Sequence, residues 1–587
     1  MPAAVVVLAV ACALAATATT AADTHPAITA GWQNAANTRS PLGTNLAGVS
    51  YWTAQYPFVD HMKMAGAFLS GSTTAWDDGR PLDLDTDGNV KRLAPGQIAR
   101  TVVFAGADPG LSQKKFLLRW QGTGRLEFGN VQVLRRTAHS ALLQLQPVTS
   151  PDTNLIVNIN IVQTLPTDPV RALRLLPPSG GICTNNPLRT VASAAACPVG
   201  TYRSFDSHHA SIVFNPEFLE DVKRYSVLRF MDWASTNNSP VRSWSQRALP
   251  SHQFWSTDRG VPIEAMLSLA NLLGADPWLC IPHLANDAFV TSLGKLLKAQ
   301  LGVGRKVHLE YSNEVWNGQF QQTQWALAQA DALKLHPTDR YTGLMRFYSR
   351  RSQQIFRLVA AAMGGHTRLR RVMATQAVVP YFTESILAWE AARNLTDLFA
   401  IAPYFGNTWT EPAQAAALKR LGVDGVFAWL DGKASTADQK ASCAATHLCL
   451  VPTAAACLAL RVLEYGSLPS IDAAVAAQAS VLRPLGIPLT AYEGGQHLLA
   501  AGTLHSDSQL NALLDAVNRD PRMKGTYLRY LASWRSRTAQ PMVHFVHCDG
   551  WSAWGRWGAK EYPSQPRSKA PKLDALMTYI ATRPLPV

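Results

Sequence analysis

Short apolar runs alternate with amphipathic segments along much of the chain. The runs predicted as buried strands cover residues 45–51, 227–233, 276–283, 306–311, 371–375, 398–402, 487–492 and 542–546. Most are followed by a stretch with apolar positions at helical spacing, which is the pattern of parallel strands joined by crossover helices. Eight such units predict a (β/α)8 TIM barrel. An open doubly wound sheet is the alternative, although the chain has no glycine-rich dinucleotide loop and no phosphate loop.

A different pattern interrupts the first unit. Residues 72–200 contain short alternating runs separated by Gly and Asp, the signature of an antiparallel sheet with tight turns. We expect an additional β-sandwich domain there, either N-terminal to the barrel or inserted after its first strand and helix at 43–70. The barrel would then resume at 205–587, with a long excursion at 407–469 on the side where strand six ends.

Polar and aromatic residues stand repeatedly at the predicted strand ends, where the chemistry of such barrels lies. Strand four runs directly into Asn313 and Glu314, and strand seven ends at Glu493, which Gly494 and Gly495 follow. Taken alone, each motif is a polar turn after a core strand. Together they predict a pair of carboxylates at the same end of the barrel. Such a pair is suited to act as general acid and nucleophile in the cleavage of a glycosidic bond.

These residues resemble those of the clan A glycoside hydrolases, a large group of retaining (β/α)8 enzymes. In that clan an Asn-Glu pair ends strand four and a second Glu ends strand seven, as Asn313, Glu314 and Glu493 do here. The resemblance covers residues 43–60 and the chain after residue 215, but not the sandwich. Further positions resemble binding residues of the clan: Arg229, His283, Tyr404, and either Trp551 or Trp554 as a sugar platform.

The resemblance implies a double displacement. Glu493 would attack the anomeric carbon, and Glu314 would protonate the leaving oxygen and later activate water. Asn313 would hold a sugar hydroxyl, Arg229 would keep Glu493 charged and Tyr404 would donate a hydrogen bond to it. The two carboxyl groups should stand about 5 to 5.5 Å apart in a retaining enzyme. No metal and no other cofactor is implied.

Composition and charge indicate the possible partners and the cellular compartment of the protein. The chain has 587 residues and a net charge of +14, but its basic residues are scattered, which argues against nucleic-acid binding and leaves acidic polysaccharide as a plausible attraction. Residues 1–22 resemble a secretory signal without a leading basic residue, and no other segment is long and apolar enough to span a membrane. We therefore expect a secreted or extracellular protein; its oligomeric state does not follow from the sequence.

The cysteines fit that compartment. Cys183 and Cys197 flank one loop and are candidates for a disulfide, Cys280 lies in an apolar run, and Cys548 ends a strand. Cys443, Cys449 and Cys457 cluster in the 407–469 excursion, where two of them could pair. Sequons at Asn237 and Asn394 allow glycosylation. The acidic stretch at 77–87 departs from the EF-hand spacing, so we interpret it as turns rather than as a calcium loop.

The sequence thus predicts a secreted retaining glycoside hydrolase that cleaves β-linked glycans of a cell wall or matrix. An arabinofuranosidase of the same clan is one rival. A non-catalytic carbohydrate-binding protein on a barrel scaffold is another, and a wall protein attracted by its charge is a third. The sequence does not specify the glycan, nor whether cleavage is internal or terminal.

Overall fold

Eight parallel strands close into a barrel in the computed structural model, which describes residues 32–106, 108–148, 155–410, 412–433 and 466–585. In barrel order, the strands are β1 (Leu42–Asn45), β2 (Val227–Arg229), β3 (Asp276–Ile281), β4 (Val307–Tyr311), β5 (Leu369–Ala374), β6 (Leu398–Ile401), β7 (Leu489–Ala491) and β8 (Met542–His544). Pairing of Leu42 with Met542 closes the ring. The predicted barrel is confirmed: β2 to β8 overlap the predicted apolar runs, and most residues of these strands are buried.

The first strand differs from the expected one. It spans Leu42–Asn45, whereas the sequence pattern suggested 45–51. Thr44 and Asn45 pair with Leu228 and Arg229, the last residues of β2, so the ladder ends at Asn45 and the chain then leaves the barrel. The apolar residues that follow are buried in loops, which alternation alone cannot distinguish from a strand.

Helices connect and cover the strands. Within the described residues, the α-helices are Phe205–His208, Pro216–Val222, Ile263–Leu273, Asp287–Gln300, Gln321–Ala332, Arg340–Met363, Pro380–Leu387, Pro412–Leu430 (broken at Gly422), Leu468–Leu482, Ser508–Arg519, Arg522–Arg537 and Pro571–Thr582. Short 3₁₀ helices are His61–Met64, Pro109–Leu111, Ala194–Ala196, Trp244–Gln246, Ala392–Leu395, Arg483–Leu485, Gly502–Leu504 and Arg567–Lys569. Gln321–Ala332 was not predicted, because polar residues on most of its faces hide the helical period.

Antiparallel sheets lie between β1 and β2, as the turn-rich pattern predicted. One sheet contains, in spatial order, Leu69–Gly71, Ile98–Val103, Val157–Thr164 and Gly124–Gly129. The other contains Arg171–Leu176, Lys115–Gln121, Ser140–Leu145 and Val131–Arg136. Smaller sheets pair Asn186–Val191, Gly181–Cys183 and Tyr202–Ser204, then Asp83–Leu84 with Val90–Arg92, and Thr408–Trp409 with Leu499–Ala500. Of these, only the last pair lies outside the segment between β1 and β2.

Aromatic packing joins the inserted sheets to the barrel. Phe58 is fully buried, and its ring centroid lies 5.4 Å from that of Trp233 and 4.9 Å from that of Trp255. Asp60 caps the helix His61–Met64 and accepts a hydrogen bond from the Leu175 amide at 3.0 Å. The insertion therefore shares buried contacts with the segments that follow β2.

Cys183 and Cys197 form a disulfide, as predicted, and Cys280 and Cys548 are buried free thiols. The predicted leader at 1–22, the three clustered cysteines and just over half of the 407–469 excursion lie outside the described residues. Among the helices that are described, none combines the length and the apolar character that crossing a membrane requires.

Candidate active site

Arg229 is the centre of a buried polar cluster at the mouth of the barrel. It ends β2, and its side chain has no exposed surface. One terminal nitrogen donates to Glu493 Oε1 at 2.7 Å and to Asn45 Oδ1 at 3.2 Å. The other donates to Asn313 Oδ1 at 2.8 Å. The structure thus brings together three of the predicted site residues, Arg229, Asn313 and Glu493.

Glu310 is a second acidic partner of Arg229, and sequence reasoning missed it. Its Oε2 accepts hydrogen bonds from Arg229 Nε at 3.2 Å and Nη2 at 2.9 Å. Trp278 Nε1 donates to the same oxygen at 2.8 Å, and the Cys280 thiol lies 3.5 Å away. Glu310 is 1% exposed in the middle of β4. A carboxylate inside an otherwise buried strand was the available signal, because a buried charge requires a partner.

Glu493 follows β7 and is held from two sides. Besides the ion pair with Arg229, its Oε2 accepts a hydrogen bond from the Tyr404 hydroxyl at 2.8 Å. Burial raises the pKa of Glu493 to about 8; the charge of Arg229 opposes the rise, and the charge of Glu314 adds to it. Burial and the adjacent Glu493 also raise the pKa of Tyr404, so this phenol stays a neutral donor.

Glu314 stands half-exposed in the turn after β4. The Tyr492 hydroxyl donates to its Oε1 at 2.8 Å, and Asn317 Nδ2 donates to its Oε2 at 2.9 Å. Ser312 and Glu314 both have positive φ, 59° and 41°, a region that costs energy for residues other than glycine. The surrounding hydrogen bonds hold this strained turn and direct the carboxylate toward Tyr492, the residue immediately before Glu493.

Asn313 is buried, and most of its amide group is engaged. Its oxygen accepts from Arg229, and its nitrogen donates to Asn237 Oδ1 at 3.1 Å. Gln322 donates to the same Asn237 oxygen at 2.7 Å. An amide nitrogen carries two hydrogens, so one remains for a ligand hydroxyl. The Asn237 side chain is thus part of the support of the site, a use that competes with glycosylation at this sequon.

His283 lies just beyond β3 and is buried. Burial, with a smaller contribution from Arg242, lowers its pKa to about 4, so the imidazole is neutral near pH 7. Its backbone oxygen accepts from the Tyr311 hydroxyl at 3.0 Å. None of the hydrogen bonds found among the described residues joins its ring to Glu314 or Glu493. Its role in binding stays a prediction.

The tryptophans after β8 differ in their surroundings. Trp551 packs against Lys572, whose ammonium lies 4.2 Å from the ring, and donates to the Gly558 carbonyl. Trp554 is 74% exposed and contacts the His505 ring. The platform role predicted for either residue stays a prediction.

Trp557, which sequence reasoning did not single out, is connected to Glu493 through His497 and Tyr404. Its Nε1 donates to His497 Nδ1 at 3.2 Å, and the His497 ring lies 5.3 Å from that of Tyr404. Three tryptophans stand within seven residues of each other, and the sequence has no signal that ranks them.

Two further carboxylates flank the mouth. Asp232 follows β2, and burial raises its pKa to about 6, against the opposing charge of Arg229. Asp549 follows β8, and burial together with the charge of Asp232 raises its pKa to about 7. Asp232 also contributes to the raised pKa of Glu493. The mouth is therefore richer in acidic groups than the two predicted glutamates alone.

The acidic stretch before residue 90 is built as turns, as interpreted from the sequence. Asp85 Oδ1 accepts from the backbone nitrogens of Asp87 at 2.9 Å and Asn89 at 2.8 Å. Asp87 Oδ1 accepts from the Ser251 hydroxyl at 2.7 Å. Over the described ranges, the structure places no group of three or more His, Cys, Asp or Glu side chains for a metal ion.

The geometry separates two carboxylates by environment. Glu493 is buried between a guanidinium and a phenol, which stabilise its charged form, whereas Glu314 faces the opening and accepts from an amide and a second phenol. Two titratable groups in such unlike surroundings are suited to different tasks in one reaction.

No family model matches the chain, and no curated protein matches it. Among solved structures, the chain is similar to a Bacteroides ovatus GH5 xyloglucanase that was determined in complex with an XXXG heptasaccharide. The two chains are 10% identical, the match covers 83% of this chain and 96% of that chain, and the TM-score is 0.31. A likeness this distant carries no argument about the site, which rests on the geometry of this chain.

Proposed function

We propose that this protein is a retaining glycoside hydrolase that acts on β-linked glycans, with Glu493 as the nucleophile and Glu314 as the acid/base. The observation that carries the proposal is the pair of carboxylates at the ends of β4 and β7. One of them is bound by Arg229 and Tyr404, and the other stands at the opening beside Tyr492.

In the first step, a Glu493 oxygen attacks the anomeric carbon while the bond to the leaving oxygen breaks. Glu314 transfers its proton to that oxygen, so the leaving group departs as an alcohol and a glycosyl ester forms on Glu493. A proton on Glu314 removes one of the charges that raise the pKa of Glu493. The protonated acid and the ionised nucleophile therefore favour each other.

In the second step, water replaces the leaving group. Glu314, now ionised, takes a proton from the water as its oxygen attacks the anomeric carbon, and the ester bond to Glu493 breaks. Arg229 and Tyr404 then stabilise the carboxylate that is released, because both donate to its oxygens. The two inversions restore the original anomeric configuration.

The substrate class follows from the surroundings and the charge. Asn313 retains one hydrogen for a sugar hydroxyl, and His283, Tyr404 and the tryptophans after β8 are the proposed binding groups. A net charge of +14 favours the acidic polymers of a wall or matrix, the compartment that the leader-like residues 1–22 suggest. We also propose that residues 72–200 form an accessory domain beside the catalytic barrel of 43–70 and 205–587.

The test compares the parent protein with Glu493→Gln and Glu314→Gln on a panel of cellulose, mannan, xylan, xyloglucan, β-1,3-glucan and arabinan, with glucuronoxylan as an acidic polymer. Loss of the nucleophile should lower kcat by a factor on the order of 10⁴ or more. Loss of the acid should lower it by about 10²–10⁴, and by less on aryl glycosides whose leaving groups need no proton. Glu127→Gln is the control, because Glu127 is exposed on the inserted sheet.

Product analysis separates the alternatives. Proton NMR of the first product should show the anomeric configuration of the substrate, whereas inversion would contradict the double displacement. Release of arabinose alone would favour the arabinofuranosidase. A parent protein that binds glycans without cleaving any of them would instead favour the carbohydrate-binding scaffold.

A further inference from the structure

Two exposed tyrosines stand on the face of the barrel that carries Glu314. Tyr341 is 42% exposed in the first turn of the helix Arg340–Met363, and Tyr381 is 52% exposed in the first turn of the helix Pro380–Leu387. The first helix leads into β5 and the second follows it, so both begin at the carboxyl ends of the strands. Exposed rings that stand singly are common on protein surfaces, but here two tyrosines lie on neighbouring helix starts at the end of the barrel where Glu314 lies.

The two tyrosines are fixed by their neighbours. The Tyr341 ring lies parallel to that of Phe382, with an interplanar angle of 5° and a centroid distance of 6.5 Å. The Tyr381 hydroxyl lies 2.9 Å from Thr342 Oγ1, which in turn donates to Asp339 at 2.5 Å. A rigid aromatic surface loses little entropy when a ligand stacks on it, which makes this pair a suitable platform.

The platform is continuous with the turn that holds Glu314. Asn317 donates to Glu314 Oε2 at 2.9 Å, and Gly318 follows directly. A Cβ placed on Gly318 would lie 3.9 Å from the Tyr341 hydroxyl. Gly318 is exposed and presents no side chain, so the surface between the acid/base carboxylate and Tyr341 stays open.

We propose that Tyr341 and Tyr381 form a leaving-group subsite, which binds the pyranose residues on the side of the cleaved bond that departs first. The inference rests on the proposed function, because the acid must stand beside the leaving oxygen and Glu493 beside the anomeric carbon. A platform connected through Asn317 and Gly318 to the acid therefore contacts the departing chain. Such a subsite favours substrates that carry at least one pyranose residue on the leaving-group side of the cleaved bond.

The experiment uses Tyr341→Ala, Tyr381→Ala and the double variant of the full chain. Each is assayed on two substrates of the sugar that the panel identifies: an oligosaccharide, and an aryl glycoside whose leaving group contains no sugar. For each single variant, kcat/KM on the oligosaccharide should fall about tenfold, the effect of losing one good aromatic contact. On the aryl glycoside it should stay within about twofold, since that substrate does not reach the platform.

Tyr341→Phe retains the ring and should restore most of the activity on the oligosaccharide. Trp76→Ala, which removes an exposed ring from the inserted segment, is the matched control and should change neither substrate. Equal losses on both substrates, or no loss on the oligosaccharide, would overturn the subsite while leaving the proposed function intact. A parent protein inactive on both substrates would contradict the proposed function, and the subsite with it.

Discussion

Arg229 is one positive charge shared between two buried carboxylates. It lies 2.9 Å from Glu310 Oε2 and 2.7 Å from Glu493 Oε1, and all three side chains are removed from water. A single guanidinium cannot fully neutralise both partners, so the two carboxylates compete for its charge. The pKa of Glu493 is raised even though the residue is ion-paired, because its burial outweighs the opposing charge of Arg229, and the charges of Glu314 and Asp232 add to the rise.

The acid limb of the pH–activity profile should therefore lie at a higher pH than the ordinary pKa of a glutamate. Glu493 must be ionised to attack, so kcat/KM is lost as the pH falls through its pKa. Burial raises that pKa from 4.5 to about 8, which predicts a limb midpoint above 4.5 and at most about 8. The measurement is kcat/KM against pH on an aryl glycoside, with the fold checked by circular dichroism at each pH. A limb at or below 4.5 would contradict the assignment of Glu493.

Glu310→Gln should move the same limb to lower pH. Without the charge of Glu310, Glu493 is the remaining anionic partner of Arg229. The ionised form of Glu493 then becomes more favourable, and its pKa falls. The amide can still accept the hydrogen bonds of Arg229 and Trp278, so we expect a cost of about 1–3 kcal/mol in unfolding free energy. Glu310 acts here as a positioning residue, and the readout is the shift of the limb rather than the loss of rate.

Trp278→Phe is the control for that experiment, because it removes a neutral donor to Glu310 without changing any charge. It should lower stability and leave the acid limb within a few tenths of a pH unit of the parent. If Glu310→Gln lowers stability but its limb coincides with that of the parent, Glu310 has a structural role only.

At the scale of elements, periodicity indicated the barrel well because its strands are apolar runs buried on both faces. β4 and the turn that carries Asn313 and Glu314 lie where the sequence placed them. The predicted β1 begins three residues late and ends six residues late, because the loop after Asn45 continues the strand-like pattern. The helix Gln321–Ala332 was missed because burial of Gln322 and Thr323 leaves no apolar stripe.

The residues of the candidate site also divide into those that the sequence could predict and those that it could not. Residues at strand ends, such as Arg229 and Glu493, could be read from position alone. Glu310 could not, since its role depends on which side chains meet inside the barrel. Trp557 could not either, because loop geometry decides which of three neighbouring tryptophans approaches His497 and Tyr404.

The disulfide of the inserted segment should contribute measurably to stability. Cys183 and Cys197 are 14 residues apart, and closing a loop of that length stabilises the folded state by about 3 kcal/mol. Cys183→Ala with Cys197→Ala should lower the unfolding free energy by this amount in guanidinium titrations. Reductant should destabilise the parent more than the double variant, by about the contribution of this disulfide. An equal response of both proteins to reductant would contradict the bond.

At the scale of the whole molecule, the inserted sheets and the barrel are joined through a common buried core. Phe58 lies in the segment between β1 and the first inserted strand, and its ring packs against Trp255 and Trp233 from the barrel side and lies near Phe214. Two residues on, Asp60 accepts a hydrogen bond from the amide of Leu175 in the inserted sheet. Val59 donates its amide to the Val213 carbonyl at 2.9 Å, so the backbone is paired there as well. An insertion attached in this way is expected to unfold with the barrel rather than before it.

Phe58→Ala tests that coupling. Removing a fully buried ring should cost about 3–5 kcal/mol through lost burial and the cavity left behind. If the insertion and barrel are one cooperative unit, tryptophan fluorescence and calorimetry should both report a single transition that moves to lower temperature together. Phe128→Ala, a substitution of a half-buried ring on the strand Gly124–Gly129, is the matched control with a smaller expected cost. Two transitions in the Phe58 variant, with only one shifted from the parent, would show instead that the inserted sheets fold and melt as an independent body.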